Sequence, residues 1–336
     1  MILAGDIGGT KCNLALFEAR QGTLCSIAHR RFASKDYMQF GDIVSEFVRD
    51  VGGQSAAVGS GKVTAAGFGV AGPVIDYRVR ATNLPWVVDG ASLARILGIE
   101  RVVLLNDLEA TAYSLAHLQP SEFCTLNAGT PAPQANQALI AAGTGLGEAI
   151  LFWDGSRHVV AATEGGHADF APRTEQEIEL LRFLKKRYEN VSFELILSGR
   201  GFRTIHEFLG PAVKHPSFDA PGADPAPEIT RLGLEGSCPV CVQTLDLWTA
   251  LYGAEAGNLA LKSLARGGVY VAGGIAVKIL PKLKDGTFVR AFTQKSKFGT
   301  LLSQIPIYVV VNEDAPLLGA AAQAAAVAVG NPPSSP

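Results

Sequence analysis

Residues 5–11 have the sequence Gly-Asp-Ile-Gly-Gly-Thr-Lys and lie between two apolar runs at residues 2–4 and 14–17. This pattern predicts a tight hairpin turn between two strands. The turn suits a phosphate group, because its glycines let backbone N–H groups approach closely, while Thr10 adds a hydroxyl and Asp6 can hold magnesium through water. It is not a Walker A loop, which needs a glycine directly before the lysine and a helix after it. A glycine-rich turn with a solvated acid and a solvated lysine is the alternative.

A second turn of the same kind lies near the middle of the chain. The sequence Gly-Thr-Gly-Leu-Gly at residues 143–147 separates an apolar run at residues 138–142 from alternating β-type residues at 148–153. A dinucleotide-binding fingerprint needs a helix after its glycines, so this segment disfavours a nicotinamide dehydrogenase. Two hairpins rich in glycine and threonine favour a clamp for nucleotide phosphates.

A third segment, Val-Tyr-Val-Ala-Gly-Gly-Ile, follows at residues 269–275. In this order the three segments resemble the first phosphate, second phosphate and adenosine motifs of the actin, Hsp70 and hexokinase ATPase superfamily. The resemblance implies an α/β chain with the two-domain, actin-like (ribonuclease H-like) ATPase fold, in which a cleft separates a small domain from a large one.

Length and composition set the class of protein. The chain has 336 residues, of which 48% are hydrophobic, so it can build one large or two medium cores. A net charge of -2 gives no basic field for nucleic acid. The longest apolar tract, residues 315–329, is interrupted by Gly319 and Gln323 and is too short to span a membrane. Five cysteines are an odd, sparse set, and no signal-peptide pattern precedes the first strand, so we expect a cytoplasmic protein without nucleic-acid or membrane partners.

The order of strand-like and helix-like runs predicts two α/β domains. We assign residues 1–117 plus 312–336 to a small domain and residues 118–311, with longer helices, to a large one. The segments 119–137 and 211–230 are expected to be surface loops, the second because its prolines exclude regular structure.

Asn106 and Asp107 lie where a buried strand at residues 101–105 runs into a helix. Asp107 is well placed there to act as a general base. The alternative is a helix N-cap, a position that favours Asn and Asp because their side chains bond the free N–H groups of the first turn.

The segment Glu-Gly-Gly-His at residues 164–167 places an acid and an imidazole on either side of two glycines. Such a tight bend directs both side chains to one polar ligand. A lone histidine is more often structural, however, and Glu194, which follows Ser192, is by default an acid in the first turn of a helix. On the residues alone, both interpretations stay open.

Cys238 and Cys241 form a C-x-x-C pair. Zinc normally needs two further ligands, and the sequence shows no other cysteine or nearby histidine to supply them. A redox role lacks the βαβ context of thioredoxin. We therefore predict no protein-bound metal, and magnesium only as the ATP complex.

The chain as a whole resembles the proteobacterial-type glucokinase family, nearly end to end. The resemblance rests on five motifs in the family's order, at residues 6–10, 106–107, 143–147, 164–172 and 197–199. The most specific is the fourth, Glu-Gly-Gly-His-Ala-Asp-Phe-Ala-Pro. The related ROK sugar kinases and repressors carry a zinc-binding C-x-C-x-x-C after the Gly-His pair, and this segment has no cysteine. The loop at residues 82–86, Thr-Asn-Leu-Pro-Trp, departs from the family's Thr-Asn-His-Trp order.

Membership of this family implies a homodimeric kinase that phosphorylates the 6-hydroxyl of glucose with ATP and Mg²⁺. The resemblance makes Asp107 the base that takes the proton from this hydroxyl. It assigns the other sugar hydroxyls to Asn106, Glu164, His167 and Glu194. It assigns ATP to the glycine-rich segments, through Asp6, Gly8, Gly9, Thr10, Gly143, Thr144, Gly145, Gly273 and Gly274. This set is sufficient in principle, because phosphoryl transfer needs mainly positioning, charge neutralisation and one carboxylate.

Other functions compete with this interpretation. A ROK-type kinase for another hexose shares the chemistry. A non-enzymatic, sugar-responsive regulator of the same fold would need a winged-helix segment before the first phosphate motif. An actin- or Hsp70-like ATPase has no use for the polar residues Glu164 and His167.

Overall fold

The computed structural model describes residues 1–20, 23–53, 62–81, 84–213, 215, 218 and 224–329. Within these residues the strands are β1 (Ile2–Ile7), β2 (Lys11–Arg20), β3 (Thr23–Ala33), β4 (Ala65–Val70), β5 (Val74–Ile75), β6 (Arg78–Arg80), β7 (Val87–Asp89), β8 (Val102–Asn106), β9 (Phe123–Asn127), β10 (Gln137–Ala142), β11 (Leu146–Trp153), β12 (His158–Thr163), β13 (Gly268–Ala272) and β14 (Ile307–Val310). The α-helices are α1 (Phe40–Gly53), α2 (Gly90–Leu97), α3 (Asp107–Ser114), α4 (Glu175–Lys185), α5 (Gly199–Leu209), α6 (Ala226–Glu235), α7 (Pro239–Ser263), α8 (Gly274–Lys278), α9 (Leu280–Leu283), α10 (Thr287–Thr293), α11 (Gly299–Ser303) and α12 (Ala315–Ala328). None of these helices is long and apolar enough to cross a membrane.

The chain divides into two compact units. Unit 1 comprises residues 1–120, 160–162 and 312–336, and unit 2 comprises residues 121–159 and 163–311.

The sheet of unit 1 has the strand order β3-β2-β1-β4-β8. Strand β1 is antiparallel to β2 and parallel to β4, and β4 is parallel to β8. The predicted hairpin at residues 5–11 is therefore confirmed. Both faces of the central strands are covered by apolar side chains, on one face by a cluster that includes Phe40 and Phe47 and on the other by α12 through Leu317 and Ala320. Burial on both faces explains why β1 and β4 are almost continuously apolar.

The sheet of unit 2 has the strand order β12-β11-β10-β13-β14-β9. Strand β10 is antiparallel to β11 and parallel to β13, so the predicted hairpin at residues 143–147 is confirmed as well. The long helix α7 supplies much of the core of this unit. Its Trp248 is fully buried and stacks on Phe202 of α5, with the ring centroids 4.7 Å apart.

The two segments expected to be loops each contain regular structure, so those predictions are wrong in part. Strand β9 lies within residues 119–137 and pairs with β14 at the edge of the sheet. Helix α6 begins at Ala226, directly after Pro225, and Pro227 lies in its first turn. Proline is tolerated there because the first N–H groups of a helix have no helical partner. Residues 214, 216–217 and 219–223 of the second segment lie outside the described residues.

Candidate active site

The first glycine-rich turn lies at the carboxyl edge of the parallel strands of unit 1. A hydrogen bond from the Gly8 N–H to the Lys11 carbonyl, 3.0 Å long, closes the turn. Asp6 is the penultimate residue of β1, and β8 ends at Asn106. The strand register carries β1 through β4 to β8, so Asp6 and the junction of β8 with α3 share this edge. The predicted phosphate turn and the predicted base are therefore brought together.

Asp6 is surrounded by charged and polar groups. Its Oδ2 accepts a hydrogen bond of 3.2 Å from Asn13 Nδ2. Burial raises the pKa of Asp6 to about 6, although the hydrogen bond from Asn13 lowers it. The Asp107 and Asp314 carboxylates raise this pKa further, and Lys11 lowers it. Carboxylates that lie close enough to raise the pKa of a neighbour favour a divalent cation, whose charge offsets their repulsion.

Asn106 is the N-cap of α3. Its Oδ1 accepts a 2.9 Å hydrogen bond from the Leu108 N–H, and its Nδ2 donates to the Gly72 carbonyl at 3.1 Å. Glu109 completes a capping box with the Asn106 backbone. Asn106 is therefore the N-cap residue, with protein partners for both of its polar side-chain atoms, while Asp107 Oδ1 also accepts from the Leu108 N–H at 2.9 Å. Asp107 is the first helical residue, where the helix dipole stabilises a carboxylate.

The second glycine-rich turn joins β10 to β11, and a 2.8 Å hydrogen bond from the Gly143 N–H to the Gly145 carbonyl closes it. A Cβ atom at Gly143 would meet no atom of the described residues within 4 Å, and the same holds at Gly274, which follows β13. Neither residue has a positive φ. Packing and backbone conformation therefore leave these two glycines unexplained, whereas a ligand lying close to the backbone explains both.

Helix α5 begins beside this second turn. The Gly199 N–H donates to the Gly143 carbonyl at 2.9 Å. The Ser198 side chain, at the N-cap, makes no capping hydrogen bond. The N-terminus of an 11-residue helix is a favourable environment for an anion, since its free N–H groups carry partial positive charge. The second phosphate motif thus has a helix N-terminus next to it.

The predicted sugar-binding residues of unit 2 come together because residues 166–170 run antiparallel to residues 191–194. Backbone hydrogen bonds join Glu194 N to Gly166 O at 2.9 Å and Phe193 N to Ala168 O at 3.0 Å. As a result, Glu194 Oε2 lies 4.0 Å from His167 Nε2. Glu164 and His167 are both exposed at the two ends of the short 3₁₀ turn Gly165–His167, with room for a ligand.

Glu194 also contacts the phosphate hairpin. Its Oε2 accepts a 3.1 Å hydrogen bond from the Leu146 N–H. One carboxylate therefore connects the predicted sugar loop with the predicted phosphate turn.

The glycines of the Glu-Gly-Gly-His segment have a different purpose from the bend inferred from the sequence. A Cβ atom at Gly166 would lie 2.0 Å from the Leu146 carbonyl oxygen. Glycine is needed there because the loop packs directly against the start of β11. The two motifs are held together by this close approach.

Glu148, on β11, is a buried acid next to the sugar loop, and no motif in the sequence predicted it. It is 1% exposed, and within the described part of the chain its Oε1 has no hydrogen-bond partner. Burial raises its pKa, and the nearby Glu255 carboxyl raises it further. Thr163 connects it to the sugar loop, since Thr163 Oγ1 donates to the Glu148 carbonyl and accepts from the Gly165 N–H. Glu148 lies on the same face of the strand as Leu146 and Ile150. An acidic residue within such an apolar row is the feature of the sequence that could have identified it.

The prediction that Cys238 and Cys241 have no partner ligands is wrong. His206 of α5 and His215, which lies between α5 and α6, place their ring nitrogens beside the two sulfurs, and all four donor atoms lie within 4.8 Å of one another. Both histidines are distant in sequence, so the spacing of the cysteines gave no indication of them.

The loop that departs from the family pattern is only partly described. Thr82 and Asn83 lie outside the described residues. Trp86 is 3% exposed and packs against Phe40 in the core of unit 1.

Comparison with known proteins gives a consistent result. The family model for Glucokinase matches residues 3–327. A glucokinase from Nostoc sp. is 38% identical, and the match covers 97% of this chain and 99% of that protein. A glucokinase from Chromobacterium violaceum is 35% identical, with 96% of this chain and 89% of that protein covered.

Solved structures agree. A glucokinase from an Antarctic psychrotroph superimposes with a TM-score of 0.83 at 29% identity, covering 96% of this chain and 98% of its own. A glucokinase from Balamuthia mandrillaris in complex with glucose gives 0.80 at 22% identity, covering 96% and 93%, which shows the fold alone. The predicted α/β, actin-like ATPase fold is confirmed. With nearly the whole sequence matched, the chain belongs to the Glucokinase family.

Proposed function

We propose that this protein transfers the terminal phosphoryl group of ATP to the 6-hydroxyl of glucose, giving glucose 6-phosphate for glycolysis. The observation that carries the proposal is the position of Glu194, which accepts a hydrogen bond from the phosphate hairpin at Leu146 and lies 4.0 Å from His167 of the sugar loop. A protein that only hydrolyses nucleotide has no need for a polyol-binding carboxylate at this point. Family membership supports the same substrate.

In this proposal Glu164, His167 and Glu194 bind the sugar hydroxyls, together with Asn106. Carboxylates accept hydrogen bonds from hydroxyls, and an imidazole donates or accepts, so the set suits a polyol. Glu194 Oε2 already holds the Leu146 N–H, which leaves its Oε1 for the sugar. Asn106 is more constrained, because both of its side-chain atoms also serve the protein.

ATP binds, we propose, along the glycine-rich segments. The open positions at Gly143 and Gly274 and the N-terminus of α5 fit a phosphate-bearing ligand. The residues assigned to it are Asp6, Gly8, Gly9, Thr10, Gly143, Thr144, Gly145, Gly273 and Gly274. Asp6 would hold the Mg²⁺ that accompanies ATP, through water, and this ion would supply neutralising charge for the phosphates.

Asp107 is proposed as the general base. A hexose hydroxyl is a weak nucleophile unless its proton has an acceptor as the bond to phosphorus forms. Asp107 presents a carboxylate at the start of α3, on the sheet edge that also carries Asp6. It would accept the proton from the 6-hydroxyl and so complete the transfer without a covalent intermediate.

The experiment is a coupled assay with glucose, mannose, fructose and N-acetylmannosamine, each with ATP or with polyphosphate. We expect turnover with ATP and glucose to exceed every other pair. Preference for another hexose would contradict the sugar assignment, and preference for polyphosphate would contradict the donor. ATP hydrolysis without any sugar product would contradict the kinase proposal as a whole.

The proposal also includes a homodimer, as the family resemblance implies, and a cytoplasmic location, as the sparse cysteines indicate. Sedimentation at micromolar concentration measures the assembly directly. A monomer at all concentrations would contradict this part and leave the reaction unaffected.

A further inference from the structure

Four metal-binding side chains meet in unit 2, at the C-terminal end of α5 and the N-terminal end of α7, and none of them is a residue assigned to sugar or ATP. His206 lies in the last turn of α5, Cys238 is the N-cap of α7, and Cys241 lies in its first turn. His215 comes from the segment before α6. Three separate segments of the chain therefore converge on one point, where all four donor atoms lie within 4.8 Å of one another.

We propose that His206, His215, Cys238 and Cys241 bind one zinc ion in a closed, structural site. Two sulfurs and two imidazole nitrogens are a common ligand set for structural zinc, and four protein ligands leave no position for substrate. Two thiolates also balance the charge of the ion, so that the filled site is neutral.

The distances suit this ion. Zinc bonds of about 2.3 Å to sulfur and 2.0 Å to nitrogen, arranged tetrahedrally, place donor atoms about 3.3–3.8 Å apart. Cys241 Sγ and His215 Nε2 are 3.6 Å apart, within that range. The widest separation, 4.8 Å, requires a closure of about 1 Å, which small side-chain rotations supply.

An unpartnered buried atom points independently to a ligand. His206 is 3% exposed, and its Nε2 has no hydrogen-bond partner among the residues that the structure describes. A buried polar nitrogen normally finds a partner, because leaving it without one costs free energy. A zinc ion at the centre of the cluster would satisfy this nitrogen.

The ring contacts around the cluster hold the imidazoles in place. Phe218 packs edge-on against His206, with the ring centroids 5.2 Å apart. The ring centroids of Phe218 and His215 are 4.8 Å apart. Cys241 is fully buried and Cys238 is 8% exposed, so water has little access to the sulfurs. These surroundings are typical of a structural ion, which joins the segment containing His215 to two helices.

The alternative for this cluster is a redox-active C-x-x-C pair at a helix N-terminus, without metal. The two cases differ in metal content, in spectrum and in the effect of the histidines. A disulfide needs no histidine ligand, whereas a zinc site needs all four residues.

The test uses the full chain, purified under reducing conditions without a metal-affinity step. We expect about one zinc per chain by elemental analysis, and we expect Co²⁺ substitution to give the intense visible bands of a tetrahedral thiolate site. Cys241→Ser and His206→Gln should each weaken zinc binding in chelator competition by more than about 100-fold, beyond what loss of a residue that merely supports a ligand costs. Cys25→Ser and His29→Gln, both on β3 in unit 1, are the matched controls and should retain one zinc.

Wild-type protein treated with chelator provides a measurement that does not depend on the folding of a variant. We expect its Tm to fall, and to recover when one equivalent of zinc is added. Reduced protein that binds no zinc even when zinc is added would overturn the proposal. So would zinc that persists in both Cys241→Ser and His206→Gln, or a Cys238–Cys241 disulfide that forms equally in the presence of zinc.

Discussion

The two sheets share one topology and differ in the chemistry at the same edge. Unit 1 has the order β3-β2-β1-β4-β8, and unit 2 repeats it as β12-β11-β10-β13-β14, with β9 added beyond β14. In both, an antiparallel hairpin with a glycine-rich turn leads into parallel strands. The chain thus uses one arrangement twice, although the two halves show no sequence repeat beyond the turns.

The difference lies in which groups surround each turn. The first turn has charged side chains, Asp6 and Lys11, with Asp107 close enough to affect the pKa of Asp6. The second turn, residues 143–147, contains no charged residue and is flanked instead by the N-terminus of α5 and by Glu194. The common topology therefore provides two glycine-rich turns suited to phosphate, residues 5–11 and 143–147, which we call the first and second cradles. The elements around each turn differ, and they support the proposed acid–base role for unit 1 and the proposed phosphate and sugar contacts for unit 2.

The largest effect is expected at Asp107, on the charged side of this division. Asp107→Asn keeps the size of the side chain and removes the base, so kcat should fall by about 10²- to 10⁴-fold while the melting temperature stays near that of the parent. Glu175→Gln is the matched control, because Glu175 is the first residue of α4 just as Asp107 is the first residue of α3. A fully active Asp107→Asn enzyme would end the general-base assignment.

In unit 2, Glu194 should affect both substrates and His167 only one. His167→Ala should weaken glucose binding by about 1 to 3 kcal/mol, roughly 5- to 150-fold, because sugar hydroxyls lose a partner. Glu194→Ala should do the same and also raise the KM for ATP, since the Leu146 N–H of the hairpin loses its acceptor. Calorimetry with glucose and steady-state kinetics with ATP measure the two effects. Glu189→Ala, an exposed acid of the same unit, should change neither.

If Glu194→Ala and His167→Ala have the same profile, the connection between the sugar loop and the hairpin has no functional role. If both bind glucose like the parent, the sugar site is misplaced.

A smaller effect is expected at the second cradle itself. A Cβ atom at Gly143 meets no protein atom, so Gly143→Ala should change the free energy of unfolding by no more than about 1 kcal/mol. The added methyl group would occupy ligand space, and the KM for ATP should rise about tenfold, equivalent to ~1.4 kcal/mol. Gly319→Ala is the opposite case, because its Cβ would lie 1.7 Å from the Ala110 carbonyl oxygen and should lower stability. An unchanged KM for ATP in Gly143→Ala would argue against a ligand at this position.

The last effect is one on stability alone and concerns Asp6 and pH. Its pKa of about 6 in the folded protein lies above the ordinary value of 3.8, so between these values the folded state keeps a proton that the unfolded state has released. Stability therefore falls as pH rises through this window and is constant above it. Asp6→Asn should equal the parent in stability below pH about 4 and exceed it by about 1 to 3 kcal/mol at pH 7.

Urea unfolding of both proteins across this pH range measures the difference. Asp36→Asn, an exposed acid of the same unit, is the control and should show no such trend. A stability difference between Asp6→Asn and the parent that does not vary with pH would contradict the assignment.

Local patterns were enough to predict both cradles. A turn of Gly and Thr between β-type runs is encoded within about 15 residues, and the strand-to-helix junction at Asn106 is equally local. The prolines of residues 211–230 gave a wrong prediction for the start of α6. Composition alone does not distinguish a proline in the first turn of a helix from a proline in a loop.

Contacts between distant segments could not be predicted in the same way. Glu194 reaches the hairpin only because residues 166–170 pair with 191–194, a bridge with no sequence signature. The partners of Cys238 and Cys241 come from α5 and from the segment after it, so their meeting depends on how α5 packs against α7. Family resemblance supplied a role for Glu194 and gave no indication of the cysteine–histidine cluster.

The contribution of α12 to unit 1 affects how the protein is made. Leu317, Ala320 and Ala324 of this helix complete the apolar layer over Ile2 and Leu105. A ribosome that adds about 5–20 residues per second needs roughly 10 to 40 seconds to synthesise the intervening unit 2. During that time the first sheet has emerged with one apolar face uncovered, so the nascent chain is an expected client for chaperones until its last helix is released.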